Sequence, residues 1–351
     1  MYLLKQLAED FAVRELPNLK LKEHGPYLYF QLVKRNYNTI DAVKKIAKLL
    51  RLQEKQIGFS GNKDKRAVTE QIISVIGKNQ LDIESLKITD LALKFLGRGE
   101  EPITLGSHQG NWFEIVIRNL EQESIERTDF LENYFAEQRF SQNNVEIGRN
   151  LVKKKFLEAA KLIDNSLVKE HLQHKPGDAV GALRKISPRL LRLYVNAYQS
   201  YLWNETVRIY LQGQGAVIRT LKYSWGELTL VGKPNFKLKI PLLGFDSGEI
   251  ENQKLDLIID KMMEAEKLSN QDFIIKQIPE LSVEGELRNV FVKVKGLSIG
   301  PFKPDELNPG RKKVKVRFSL PKGSYATMLI RKMIREKRSK KRNFPPLKLV
   351  S

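Results

Sequence analysis

Gly61-Asn62-Lys63-Asp64-Lys65-Arg66-Ala67-Val68-Thr69-Glu70-Gln71 is the stretch from which the fold reads outward. Its first half carries no apolar side chain. Ile57 to Ser60 before it reads as a short strand, and Thr69 to Ile76 after it as a longer one. A carboxylate, Asp64, therefore stands on a tight connection between two strands, flanked by Lys63, Lys65 and Arg66. Nearby cations favour the ionised form of a carboxylate and attract phosphate. That setting suits an anionic nucleophile working on nucleic acid. Two plainer readings stand beside it on these residues alone. Asp64 could be a turn residue in a basic hairpin. The loop also has a partial likeness to the guanine-binding NKxD of GTPases, but the spacing is wrong and the chain has no GxxxxGK[ST] phosphate loop.

Working outward, Leu28, Phe30 and Leu32 alternate with Tyr29 and Gln31, the period of a half-buried strand. Asn38 and Thr39 offer a cap for a helix whose apolar face is Ile40, Val43, Ala47 and Leu50, with Asp41 in its first turn. Trp112 to Ile117 predicts another strand. From about residue 145 the pattern turns helical: Ile147, Leu151, Phe156 and Ala159-Ala160, then Leu190 to Val207, then Leu255 to Leu268. Strand alternation returns at Phe291 to Val294 and Val314 to Leu320. A mixed α/β domain interrupted by a helical insertion over about 160–290 is the organisation these patterns predict. No internal repeat is evident.

The 351 residues carry 61 Lys+Arg against 41 Asp+Glu, a formal net charge of +20, which points to a polyanionic partner. No apolar run is long enough to cross a bilayer, and Met1 to Glu15, with Lys5, Glu9, Asp10 and Arg14, does not read as a secretory signal. A cytoplasmic location is expected. With no cysteine, thiolate chemistry, zinc ribbons and disulfides are excluded. His171 and His174 could share a helix face, but no acidic partner stands at a familiar metal-ligand spacing. Arg331 to Arg342 carries eight basic residues against one acid, Glu336. That is the composition of a solvated helix face or of a grip on phosphates.

Gly61, Lys63-Asp64, Arg66-Ala67-Val68-Thr69 and Gln71 resemble the signature of the TruD family of tRNA pseudouridine synthases. Further matches follow in family order. Lys5, Glu9-Asp10-Phe11, Val13 and Glu15 resemble its N-terminal motif. Asn133-Tyr134-Phe135 with Glu137-Gln138-Arg139-Phe140 resembles NYFGEQRFG. Ala197 to Leu202 with Asn204 resembles AxQSxLxN. Pro241-Leu242 with Gly244 resembles PLPG, and Glu284-Gly285 with Arg288 resembles EGxxR. Phe318, Leu320-Pro321, Gly323 to Thr327 and Arg331 resemble FxLPxGSYAT…R. Ala136 and Ser141 stand where the family usually has Gly, Leu243 replaces a proline, and the basic tail replaces an acidic-aromatic end.

The resemblance implies an α+β pseudouridine-synthase catalytic domain, residues 1–158 and 292–351, with a mostly antiparallel sheet flanked by helices. Residues 159–291 would be the inserted TruD-type domain. It implies isomerisation of a uridine to pseudouridine, at uridine 13 in the D-arm of tRNA, with Asp64 as catalytic nucleophile. Phe11, Asn133, Phe135, Phe318 and Lys5 would hold the substrate, with Arg139 as either a site residue or an ion-pair partner. It implies no metal and no nucleotide cofactor, and a monomer whose partner is tRNA rather than membrane. A non-catalytic tRNA-binding or RNA-folding protein fits the charge equally well, but a binder has no need of an acid inside a basic loop. A carboxylate-pair glycosidase would need a second acid at a set distance, and none is evident near Asp64.

Overall fold

The computed structural model describes residues 2–140, 143–247 and 252–335. Among these the chain forms two compact units. The first comprises residues 2–129, 293–326 and 333–335; the second comprises 130–140, 143–247, 252–292 and 327–332.

The first unit is built on β1 (Phe11–Leu16), β2 (Tyr27–Arg35), α1 (Thr39–Leu50), β3 (Ile57–Phe59), β4 (Val68–Val75), α2 (Gln80–Glu84), β5 (Leu91–Gly99) and β6 (Gly110–Leu120). The chain re-enters the unit with strands Lys295–Ile299, Lys303–Pro304 and Lys312–Pro321. Among the described residues these strands make one nine-stranded sheet. Its main path runs Lys295–Ile299, Lys312–Pro321, β6, β1, β4, β2, β5. β1 and β4 run parallel, and the other pairs are antiparallel. The expected α+β class and mostly antiparallel sheet are what the structure has.

Alternation decides which face is covered. Leu28, Phe30 and Leu32 of β2 stand on the same face as Ile73 and Val75 of β4, with Leu28 opposite Val75 and Phe30 opposite Ile73. Helix α1 lays Ala42, Val43, Ile46, Ala47 and Leu50 onto them. Full burial of each large apolar side chain contributes about 1.5–3 kcal/mol. The helix begins where Asn38 Oδ1 accepts the Asp41 N–H at 2.8 Å, and it ends at Arg51 in the left-handed region. Further along the same face the apolar stripe turns polar: Lys34, Thr69 and Gln71 are also buried.

The returning strand is tied in by a buried ion cluster. Arg118 on β6 bonds Asp10 at 2.9 Å and Asp305 at 2.8 Å, and it also reaches Glu306. Asp305 in turn accepts the Asn119 N–H and the Asn308 amide. Three distant stretches of chain meet on one guanidinium.

The second unit is organised around one helix, Pro188–Gln212, capped by Ser187 with Pro188 in its first turn. Every residue from Ala197 to Val207 is buried, so this helix is covered all round rather than on one stripe. Helix Asn144–Val152 packs against it. Gly148 permits the approach, since a Cβ there would lie 2.0 Å from the Tyr194 carbonyl oxygen. Residues 144–152 therefore group with the second unit. The unit is also less purely helical than its periodicity suggests: hairpin Val217–Tyr223/Gly226–Val231 and strand pair Lys239–Leu242/Glu286–Asn289 belong to it.

The described part of the basic run is structural. Arg331 donates to the Lys222 carbonyl. The ammonium of Lys332 is buried against Glu132 at 2.8 Å and lies over the Phe130 ring. Arg335 pairs with Glu126. The rest of the run, residues 336–342, lies outside the described residues.

Removing one partner from a buried ion cluster strands the others, which costs about 3–5 kcal/mol. Arg118→Ala is expected to lower unfolding stability by that order in a denaturant titration. The same cluster gives the protein an acid-labile component. Burial alone would raise the Asp305 carboxyl, but the donors from Asn119, Asn308 and Arg118 outweigh it and bring it down to about 2. A depressed carboxylate stabilises the fold above its unfolded value near 3.8, and that contribution is lost as pH falls through about 2. Acid titration of Arg118→Ala should show a smaller loss over this window than wild type.

Candidate active site

The loop joining β3 to β4 is held from below by buried polar groups. Lys63 Nζ bonds Glu15 Oε2 at 2.9 Å and Asn111 Oδ1 at 2.8 Å. The same Glu15 oxygen accepts the Ser60 hydroxyl at 2.5 Å. The Lys63 N–H donates to Thr39 Oγ1, Thr39 donates to Gln71 Oε1, and the Gln71 amide donates to the Gly61 carbonyl. Helix α1 and strands β1, β4 and β6 thus all grip this one loop. Lys63 is therefore not the phosphate-facing cation its neighbourhood in the sequence suggests; Glu15 and Asn111 occupy it. Lys65 and Arg66 are exposed.

Asp64 is lifted clear of this floor. Its side chain is 46 % exposed, and Lys5 Nζ meets its Oδ2 at 2.5 Å. Lys5 adopts φ +59°, a conformation uncommon outside glycine and often found where function demands it. The Lys5 ammonium also lies 4.1 Å from the Phe11 ring centroid, a cation–π contact. Phe11 meets Phe113 edge-on at 6.3 Å, and Phe113 lies against Phe318 at 5.4 Å. Lys5, Phe11 and Asp64 are therefore brought together. Phe318 joins them only through Phe113 and is fully buried, with 0 % of its surface exposed. His108 lies against Gly61. Burial and then the Lys63 charge hold its imidazole below the usual histidine range.

Asn133 and Phe135 belong to the second unit, where the peptide between them is clamped on all sides. The Asn133 N–H donates to the Val290 carbonyl at 2.8 Å, and its side-chain amide donates to the Asn289 carbonyl at 3.1 Å. Arg288 donates to the Asn133 carbonyl at 2.8 Å. Asn204 closes a two-point bond on Phe135, accepting its N–H at 3.0 Å and donating to its carbonyl at 3.1 Å. The Phe135 ring stands edge-on to Trp203 at 5.6 Å and lies 4.2 Å from the Arg288 guanidinium. One polar atom is left over: Asn133 Oδ1 is buried without a hydrogen-bond partner among the described residues. A buried unmet acceptor is costly unless something supplies a donor. Among the described residues Arg139 makes no ion pair; it donates to the Ser200 hydroxyl at 3.3 Å and lies over Phe135.

Within the second unit the quoted motifs thus meet one another. Gln199 donates to the Leu243 carbonyl at 2.6 Å. A Cβ on Gly244 would lie 2.2 Å from the Glu284 carbonyl carbon, so the PLLG and EG segments need that glycine for close approach.

The family profile for tRNA pseudouridine synthase D (TruD) matches residues 2–170, 163–221 and 228–333. The tRNA pseudouridine synthase D of Aquifex aeolicus (strain VF5) is 32 % identical, covering 94 % of this chain and 97 % of its own. A TruD crystal structure from Methanosarcina mazei superposes with a TM-score of 0.66 at 25 % identity, over 94 % of this chain and 92 % of that one. This chain belongs to the TruD family of tRNA pseudouridine synthases. As a TruD protein it departs from the family pattern at Ala136, where a glycine would matter only if the backbone were left-handed. Ala136 has φ −86°, a region open to any residue, so the backbone does not require glycine there. Ser141 lies outside the described residues. Among the described residues no helix is long and apolar enough to cross a membrane.

Sequence reasoning missed the floor of this TruD site. Its signal was present in β2, where Lys34 occupies the phase of the apolar stripe set by Leu28, Phe30 and Leu32. Glu15→Ala would leave the Lys63 ammonium buried without its carboxylate and the Ser60 hydroxyl without its acceptor. The expected cost is about 3–5 kcal/mol of unfolding free energy, read by guanidinium denaturation; an unchanged midpoint would contradict the anchoring role.

Proposed function

We propose that this pseudouridine synthase isomerises uridine 13 in the D-arm of tRNA, with Asp64 as its nucleophile. The observation that carries the assignment is a carboxylate half in solvent on a rigid loop, with the Lys5 ammonium at 2.5 Å and an aromatic ring beneath that ammonium. Pseudouridine formation breaks the N1–C1′ bond of the nucleotide and joins C5 to C1′. The proton on C5 leaves to solvent, N1 ends protonated, and the mass is unchanged. No electron acceptor or transferred group is needed. The enzyme's task is to expose the sugar–base junction to a carboxylate and to keep the freed uracil in place while it turns.

A base must leave its stack to be reached, at a cost of a few kcal/mol. Aromatic stacking on the protein offsets about 1–3 kcal/mol per ring. We assign that role to Phe11, which is 2 % exposed with the Lys5 ammonium over its ring, so a base stacks on it only when Lys5 moves aside; Phe113 and Phe318 pack in series behind it. Lys5 aims the Asp64 carboxylate. Asn133 Oδ1, buried and unpartnered, is suited to accept an N–H such as the uracil N3–H or a ribose hydroxyl. Phe135 backs Asn133 within its clamped peptide. The first unit acts as the catalytic domain and the second as the inserted one.

Asp64→Ala and Asp64→Asn should abolish tritium release from C5-labelled tRNA while leaving tRNA affinity within about tenfold. Turnover by purified Asp64→Ala would remove the nucleophile from this reading. Mapping of pseudouridine in tRNA exposed to the wild-type enzyme tests the position.

A further inference from the structure

Lys34 on β2 is 1 % exposed, and no carboxylate oxygen lies within bonding distance of it among the described residues. Its ammonium instead points at three backbone carbonyls: Tyr37 at 2.5 Å, Lys63 at 3.4 Å and Asp64 at 3.3 Å. Three N–H groups meet three acceptors, and two of those acceptors belong to the turn that carries the Asp64 side chain. A buried lysine without a counter-ion is costly, so a protein keeps one only where another residue would not serve. Methionine would fill the stem's volume but offer the carbonyls nothing.

We propose that Lys34 is a positioning residue for the reaction: its ammonium fixes the peptide of Asp64 from behind and so sets the direction in which the carboxylate projects. The role rests on the reading of Asp64 as nucleophile. Lys5 and Lys34 divide the work, one bonding the carboxylate from the exposed side and the other holding its backbone. A reacting group displaced by about 1 Å can lose two orders of magnitude in rate.

The tether depends on charge. A neutral amine has two N–H groups and a lone pair, and that lone pair would face a carbonyl oxygen. Burial pushes the Lys34 ammonium down; the Asp64 charge opposes this and the Lys63 charge adds to it, leaving it at about 8. Among the described residues those two are the charges that act on it. β4 and β5 set Thr69 and Leu91 opposite it in the sheet, and neither titrates. The Thr69 hydroxyl has no hydrogen-bond partner among the described residues, so it does not relieve the ammonium. The consequence has a distinctive sign. The folded value lies below the unfolded one near 10.5, so Lys34 disfavours the fold below about 8, and this penalty is relieved as pH rises from about 8 toward 10.5. Its contribution to stability improves over the same range in which the tether is lost. An alkaline fall in rate from this residue is therefore not unfolding.

The test is single-turnover tritium release from C5-labelled tRNA, followed from about pH 6 to pH 10, for wild type, K34M, K34R and D64A. Wild type should lose rate above about pH 8 with unchanged tRNA affinity. K34M should be slower by about 10–100-fold at neutral pH, with tRNA affinity within about threefold, and should show no such fall. K34R keeps a permanent charge; it should regain part of the rate and hold it past the pH at which wild type declines. K34M turning over at the wild-type rate, or K34R declining at the wild-type pH, overturns the proposal. If K34M does not fold, K34R decides alone. D64A separates the two ideas: an inactive D64A beside a fully active K34M removes only Lys34, whereas an active D64A removes the nucleophile and with it the reason for the tether.

Discussion

The first unit depends on keeping one carboxylate in water while the loop beneath it is fixed by groups that are not. A hydrated loop of Gly, Asn, Lys and Asp would by itself sample many conformations, and catalysis requires one. The structure meets this by burying polar side chains where a sheet face would ordinarily be apolar. The Glu15–Lys63 pair, the Thr39–Gln71 relay and Lys34 all lie beneath the turn, and each spends its hydrogen bonds on the loop.

Such a floor is an expensive construction. Buried polar networks stabilise only when every member is satisfied, and the desolvation of two ions can exceed their attraction. An apolar floor of equal volume would give a fold at least as stable, but it would leave the loop carbonyls and N–H groups without partners. The requirement being met is direction rather than stability. The sheet bears the cost because its other half is packed conventionally, with α1 closing an apolar cluster over β2, β4 and β5.

The second unit solves a related problem with neutral groups. The Asn133–Phe135 peptide is held by the two-point amide of Asn204, the guanidinium of Arg288 and the backbone of Asn289 and Val290. These partners are separated widely along the chain. Their motifs look unconnected in sequence, and their spacing follows from packing around one helix that is buried from Ala197 to Val207.

The sequence by itself determined the strands on either side of Asp64, the helix from Asn38, the α+β class and the family. Period, capping residues and a short acidic-in-basic loop are local signals, and they survive without knowledge of partners. Only the tertiary structure decided what the charges do. Lys63, Lys65 and Arg66 are equivalent in the string, yet one is buried against Glu15 and two face solvent. Arg331, Lys332 and Arg335 read as a solvated helix face or a phosphate grip, yet each is engaged by a carbonyl or a carboxylate of its own unit. The packing of Asn144–Val152 on the helix Pro188–Gln212 is likewise not written in its own periodicity. The reason is common to all three: a charge or an apolar face is a local property, whereas its partner lies tens to hundreds of residues away and is chosen by the fold.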